Sequence, residues 1–425
     1  MDAAEHELEG RPPSYQMGYL AAARVLQAAV QLYPDRVATA ADRAFGIVCA
    51  LPNVQEAAEL QIEIQAFRMV SLLDCGDPAG FTLLDEVEHY AASSPRPATE
   101  ETSALLNAYM GSVIALYQQQ ADDLFDRFSQ ANQRFELGWL ARAEPYRLLE
   151  FVQCGRYEEA RQLFITVTAP LPGTMEAAVF AYAEALRELR SGSLARARGL
   201  LDAIGGVPLL QVRALQGLAR LELALLEDDP ALAELARRLY ERTEPRRYAR
   251  AAGFAAVGLA SAGQSAPPVP AWLAESSPPH VFWDWALGIA DSDTRLLREV
   301  SQRLSAMMLP YEAALALRDA GDLNPAYRAF SELGAVTARQ QTAARLRASD
   351  QRVPRHTHAA LQRGGLTDTE REVTAQLAVG STNEAIADRL GISVRTVEAH
   401  LTHIYQKIGR RGRVALAAWW REEAP

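Results

Sequence analysis

Between Ser393 and Arg411 the chain gathers side chains that can meet a polyanion. Ser393 and Thr396 bring hydroxyls, Arg395 and Arg411 guanidinium groups and Lys407 an ammonium, all donors to anionic oxygens. Glu398 adds an acceptor, Thr402 a third hydroxyl and Ala399 a methyl group. Catalytic chemistry has no comparable gathering. The seven His are dispersed, Cys49, Cys75 and Cys154 form no Cys-x-x-Cys pair, and no Ser/His/Asp, Cys/His or paired-carboxylate pattern occurs. His356 and His358 stand close together, yet a metal site needs more ligands than two. No catalytic residue, metal site, cofactor or enzymatic activity is therefore expected.

Lys407 is the only lysine; apart from the histidines, every other basic residue is Arg. A Walker-type phosphate loop needs a lysine to reach the β- and γ-phosphates, and no glycine-rich loop ends in Gly-Lys. A receiver domain needs a lysine beside its phosphoacceptor aspartate. Upstream of residue 407 neither is expected, which leaves no ATPase and no phosphorelay input.

The elements that must position the polar cluster are short helices. Apolar residues recur at helical spacing from Thr367 to Ala378, from Asn383 to Leu390, after Ser393 as far as Ile408, and from Arg413 to Trp420. Thr367 and Glu370 have the spacing of a capping box, Ser393 is an N-cap for the third segment, and Gly391 stops the second. Helix, short turn containing Gly, helix is the helix-turn-helix pattern, whose second helix enters the DNA major groove.

Four groups of residues then fall into register: Leu366, Thr367 and Glu370; Ile386, Ala387 and Leu390; Ser393, Thr396, Val397 and His400; Ile404, Lys407 and Ile408. On these the stretch resembles the DNA-binding domain of LuxR/GerE-type transcription regulators. The resemblance implies a four-helix domain over residues 364–422 that binds double-stranded DNA. It puts Glu398, Ala399 and Thr402 at base edges, where Glu398 suits a cytosine N4 donor, Ala399 a thymine methyl and Thr402 either. Ser393, Arg395, Thr396, Lys407 and Arg411 are expected at phosphates, which position without specifying. The fourth helix, with Val414, Leu416, Ala417, Trp419 and Trp420, carries more apolar surface than so small a domain is expected to bury. Dimerisation through Val414, Leu416, Ala417 and Trp420 is implied, and with it a two-fold homodimer on a near-palindromic site. Departures from the family pattern are Thr369 for Arg, Thr374 for Leu, Ala385 for Glu, and Gly412 for a capping Ser.

At 425 residues, with 49% hydrophobic residues, the chain predicts two or three packed domains. No apolar stretch of about twenty residues occurs, and the first residues are acidic and polar, so a cytoplasmic protein without membrane contact is expected. The net charge of −10 is unevenly spread. From Gly364 onward eight basic side chains balance eight acidic ones, and residues 345–363 add five Arg against Asp350. The end of the chain from Arg345 is thus +4 and the remainder −14, the asymmetry of a protein that meets phosphates at one end.

Residues 15–348 read as helix after helix, with Gly-, Pro- or Asp-rich breaks every fifteen to twenty residues. A template recurs: Gly, a hydrophobic two on, Ala five on, then apolar. It appears as Gly155/Tyr157/Ala160/Leu163/Phe164, as Gly192/Leu194/Ala197/Leu200/Leu201 and as Gly321/Leu323/Ala326/Phe330. The first two copies lie 37 residues apart, near the tetratricopeptide period. The predicted fold is all-α: a tetratricopeptide-like helical-repeat solenoid over 15–348, after a disordered segment 1–14, then a linker over 349–363 and the helix-turn-helix domain. The Pro-rich segment 264–279 is expected to divide the array, and Trp272, Phe282, Trp283 and Trp285 after it to pack in the core. Residues 311–348 resemble the last helical repeat before the DNA-binding domain in large LuxR-type regulators of actinobacterial character. Those carry an NTPase module, which the single lysine argues against here.

The function expected is that of a transcription regulator whose helical body receives a protein or small-molecule effector. The alternative is a helical-repeat scaffold whose C-terminal domain docks onto protein instead of DNA.

Overall fold

The computed structural model describes residues 13–30, 34–91, 96–171, 174–191, 193–203, 210–354, 368–378, 380–390, 393–408 and 412–423. Every long element among them is a helix. The series begins α1 (Tyr15–Val30), α2 (Pro34–Val48), α3 (Val54–Asp74), α4 (Ala79–Ala91), α5 (Pro97–Ala115), α6 (Gln118–Arg134) and α7 (Leu140–Gln153). It continues α8 (Tyr157–Thr166), α9 (Met175–Ser191), α10 (Leu194–Ala203), α11 (Leu210–Glu227), α12 (Leu232–Thr243), α13 (Ala249–Ser261) and α14 (Val281–Ala290). Then follow α15 (Thr294–Ala306), α16 (Pro310–Asp319), α17 (Leu323–Leu333) and α18 (Val336–Ala348). The last four are α19 (Asp368–Ala378), α20 (Asn383–Leu390), α21 (Val394–Ile408) and α22 (Arg413–Glu423). Two compact units meet in sequence at Val353 and Pro354. No helix among the described residues is long and apolar enough to cross a membrane.

In the first unit, α3, α5, α7, α9, α11 and α13 each pack on the next member of that set, and the even-numbered helices α4 to α12 each touch both sequence neighbours. The sequence explains this layering. An inner helix is covered on nearly every side, so α13 runs Ala251, Ala252, Gly253, Phe254, Ala255, Ala256, all buried. A Cβ on Gly253 would stand 2.7 Å from the Trp283 ring. An outer helix buries one stripe only: α6 does so with Ala121, Leu124, Phe128 and Ala131, at three- and four-residue steps. The alanines of the repeated template, Ala160, Ala197 and Ala326, are each fully buried, as close helix approach requires.

The Pro-rich segment does not divide the array. Helices α13 and α14 pack directly on one another across it. Phe254 meets Phe282 edge-to-face at 5.8 Å and Trp285 at 6.5 Å, and burying this aromatic surface holds the two helices together while the loop passes to one side. Trp283 and Trp285 are core residues, 0% and 1% exposed.

Beyond α14 the array turns back on its own middle. Helix α18 packs on α9, and Gln341 donates Nε2 to the Leu226 carbonyl at 2.5 Å. Gly155, in the α7–α8 turn, faces Pro310 at the start of α16 and Leu333 at the end of α17. Its φ of +74° is left-handed, and an added Cβ would lie 2.5 Å from Leu333 Cδ2. Gly155→Ala should therefore destabilise the unit by about 2 kcal/mol or more, from the left-handed conformation and overpacking together. A denaturation midpoint unchanged from wild type would refute that contact.

The second unit is built on one small core: Val373 and Leu377 of α19, Ile386 and Ala387 of α20, Val397, Leu401 and Ile404 of α21, Leu416 and Trp419 of α22. Thr374 is also fully buried, and its hydroxyl donates to the Glu370 carbonyl at 2.6 Å. The polar residue at an apolar position is thus satisfied within its own helix.

Candidate nucleic-acid interface

Helix α21 is amphipathic by construction. Val397, Leu401 and Ile404 point into the core, and Arg395, Glu398, Ala399, Thr402 and His403 lie exposed on the other side. Ser393 caps it as the sequence predicts: Ser393 Oγ accepts from the Thr396 amide at 3.1 Å and lies 2.7 Å from Thr396 Oγ1. The positive end of the helix is therefore ordered and exposed beside Arg395, an arrangement suited to phosphate oxygens. Thr402 donates its hydroxyl to the Glu398 carbonyl at 2.9 Å, which leaves the oxygen lone pairs and the methyl group for an incoming base edge.

Glu398, Ala399 and Thr402, the expected base readers, share one exposed face with Arg395. His403 joins that face, although sequence reasoning does not select it. Its spacing of four residues from Ala399 is the available signal. Ser393 and Thr396 sit together at the N-terminal end of α21, with their hydroxyls already engaged with each other. Lys407 stands apart from them. Its ammonium pairs with Glu370 Oε2 at 2.5 Å, where Glu370 is 3% exposed, so Lys407 ties the end of α21 to the start of α19. Arg411 lies outside the described residues.

The residues expected at a dimer contact differ in burial. Leu416 is 0% exposed within the core of its own domain, because α22 lies across α19 and needs an apolar side chain there. Ala417 and Trp420 are half-buried against the same core, and the Val414 side chain lies outside what the structure describes. Arg413 fixes the start of α22 by donating to Asn383 Oδ1 at 2.6 Å and to the Ser381 carbonyl. Gly412 precedes it with φ +96°, a conformation in which a capping Ser would be strained, and its carbonyl accepts from the Leu416 amide at 3.0 Å.

Residues 365–420 match the family described as bacterial regulatory proteins, luxR family. Over 107 residues the chain is 38% identical to Mb0914c of Mycobacterium bovis, named as a putative HTH-type transcriptional regulator; this covers 25% of the chain and 12% of that relative. It is 38% identical over 58 residues to the nitrate/nitrite response regulator protein NarL of Escherichia coli, covering 14% and 27%. It is 41% identical over 54 residues to the oxygen regulatory protein NreC of Staphylococcus aureus, covering 13% and 25%. The chain thus spans about a quarter or less of the length of these relatives. No solved structure matches it.

Proposed function

We infer, from a luxR-family domain at residues 365–420, that this chain is a DNA-binding transcription regulator. The observation that carries the reading is the face of α21: an ordered, capped N-terminus with Arg395, Glu398, Ala399 and Thr402 exposed and the opposite side locked into a core. Helix α21 enters the major groove, Arg395 and the Ser393 end of the helix hold phosphates, and Glu398, Ala399, Thr402 and His403 meet base edges. Lys407 contributes through Glu370, by fixing the tilt of α21 on α19. Two copies bind a near-palindromic site, with Ala417 and Trp420 of α22 at the contact between them. The helical first unit receives the signal.

A gel-shift titration on fragments selected from the host genome tests this. Arg395→Ala should weaken binding to every fragment about equally and reduce the salt dependence by roughly one phosphate contact. Glu398→Ala should instead relax the preference at one base pair, by about 1–3 kcal/mol of discrimination. Wild-type protein that retains no fragment above non-specific level would turn the reading to a helical-repeat scaffold, with the small domain as a docking module.

A further inference from the structure

Far from α21 in sequence, the last helices of the first unit line a half-open polar cleft of about 320 Å³, near the lower bound for small-ligand sites. Its polar lining includes Asp228 after α11, Ser261 of α13, Thr294 of α15, Arg318 and Asp319 of α16, and Arg345 of α18. Most charged pairs in this unit are tight: Arg147 meets Asp122 at 2.7 Å, and Arg298 meets Asp322 at 2.6 Å. The cavity pairs are not. Arg318, only 8% exposed, reaches Asp319 Oδ1 at 3.4 Å and Gln341 Oε1 at 3.3 Å. Arg345 stands 3.9 Å from the same Asp319 oxygen, and the other oxygen of Asp319 accepts from Trp285 Nε1 at 3.1 Å. Two guanidinium groups therefore converge on one carboxylate that satisfies neither at charge-assisted distance. Burial and the neighbouring Arg318 charge hold the Arg345 guanidinium below the usual arginine range, as crowded cations would be.

A second, much smaller space shares Arg318 and Asp319 with it and is walled by Phe254, Trp285 and Leu315. Glu222, whose carboxylate is held by Arg190, and the fully buried Tyr311 also line it.

We propose that this cavity binds a free amino acid, its carboxylate bridging Arg318 and Arg345 and its ammonium facing Asp228. A single negative charge fits because Asp319 and Asp228 line the same space and would repel a doubly charged phosphate. Arg345 and Gln341 belong to α18, the last helix before Val353. Occupancy fastens that helix to α13, α15 and α16, which makes the cavity the place where a metabolite is sensed. The site stands or falls independently of DNA binding, because its test needs no DNA.

The full chain is titrated with each of the twenty free amino acids, and with inorganic phosphate, by calorimetry and thermal denaturation. At least one amino acid should bind one-to-one with a sub-millimolar Kd and raise Tm. Arg345→Gln, a change at a half-exposed side chain, should weaken that binding at least tenfold while leaving the ligand-free Tm near wild type. Arg318→Gln should do the same to affinity. No amino acid binding, equal binding by Arg345→Gln, or phosphate stabilising more than any amino acid would each overturn the assignment.

Discussion

Arg190→Leu should destabilise the first unit by about 3–5 kcal/mol, because it strands two buried carboxylates. Arg190 is 2% exposed. Its Nε donates to Glu222 Oε1 at 3.0 Å, and its Nη2 donates to Glu222 Oε2 at 3.2 Å and to Glu312 Oε1 at 2.6 Å. The guanidinium also lies over the Tyr311 ring, 4.3 Å from its centroid. Three helices, α9, α11 and α16, are joined at this one side chain. Burial already pushes the Glu222 carboxyl up, so in the variant the loss should be greatest at neutral pH and smaller in mild acid, where Glu222 takes up a proton. Replacing Arg190, Glu222 and Glu312 together by Leu, Gln and Gln should recover most of the stability, since no charge is then left unpaired. Denaturant midpoints followed by circular dichroism decide it. A single-variant loss below about 1 kcal/mol would mean that the triad does not hold the three helices.

Asp74→Asn should have the opposite sign. Asp74 ends α3 at 9% exposure, and burial pushes its carboxyl up to about 7. Tyr146 and Tyr248 both feel its charge. A carboxyl whose folded value exceeds its unfolded value of about 3.9 favours folding while it is protonated. That contribution is complete below about pH 4 and is lost as pH rises through about 7. Above it the wild type carries a penalty of up to about 4 kcal/mol, at roughly 1.4 kcal/mol for each tenfold difference in proton affinity between the folded and unfolded chain. The Asn variant, neutral and of the same shape, should therefore be more stable than wild type at pH 8 and nearly equal to it at pH 4. Denaturant midpoints at pH 4, 6 and 8 test the slope; a difference independent of pH would rule out Asp74 as its source.

Local features were legible in the residues themselves. Ser393 caps α21 because a hydroxyl at that position has one good use, and Ala160, Ala197 and Ala326 are buried because only a small side chain lets two helices approach. What sequence could not provide was the partner of a long-range contact. Nothing near Arg190 announces Glu312, which lies 122 residues on, and nothing near Lys407 announces Glu370. Leu416 is hard to place for a related reason. An apolar helix face records that something covers it, and the residue alone does not say whether the cover is the same domain or a second copy. The Pro-rich segment misleads in another way: proline ends a helix, but packing between α13 and α14 is decided by the aromatics on either side.

The return of α18 onto α9 changes how the first unit must come apart. An open stack of helix pairs holds only nearest-neighbour interfaces and can fray from either end, one repeat at a time. Here Arg190 to Glu312, Gln341 to the Leu226 carbonyl and Gly155 against Leu333 bind the end of the array to its centre. Loosening the last helices strips contacts from the middle, so the helices from α7 to α18 should melt together in one cooperative transition, while α1 and α2 keep a separate small core. Such closures between distant residues also form late in folding, after the chain between them has been ordered, which makes this body slower to fold than an open array of the same helices.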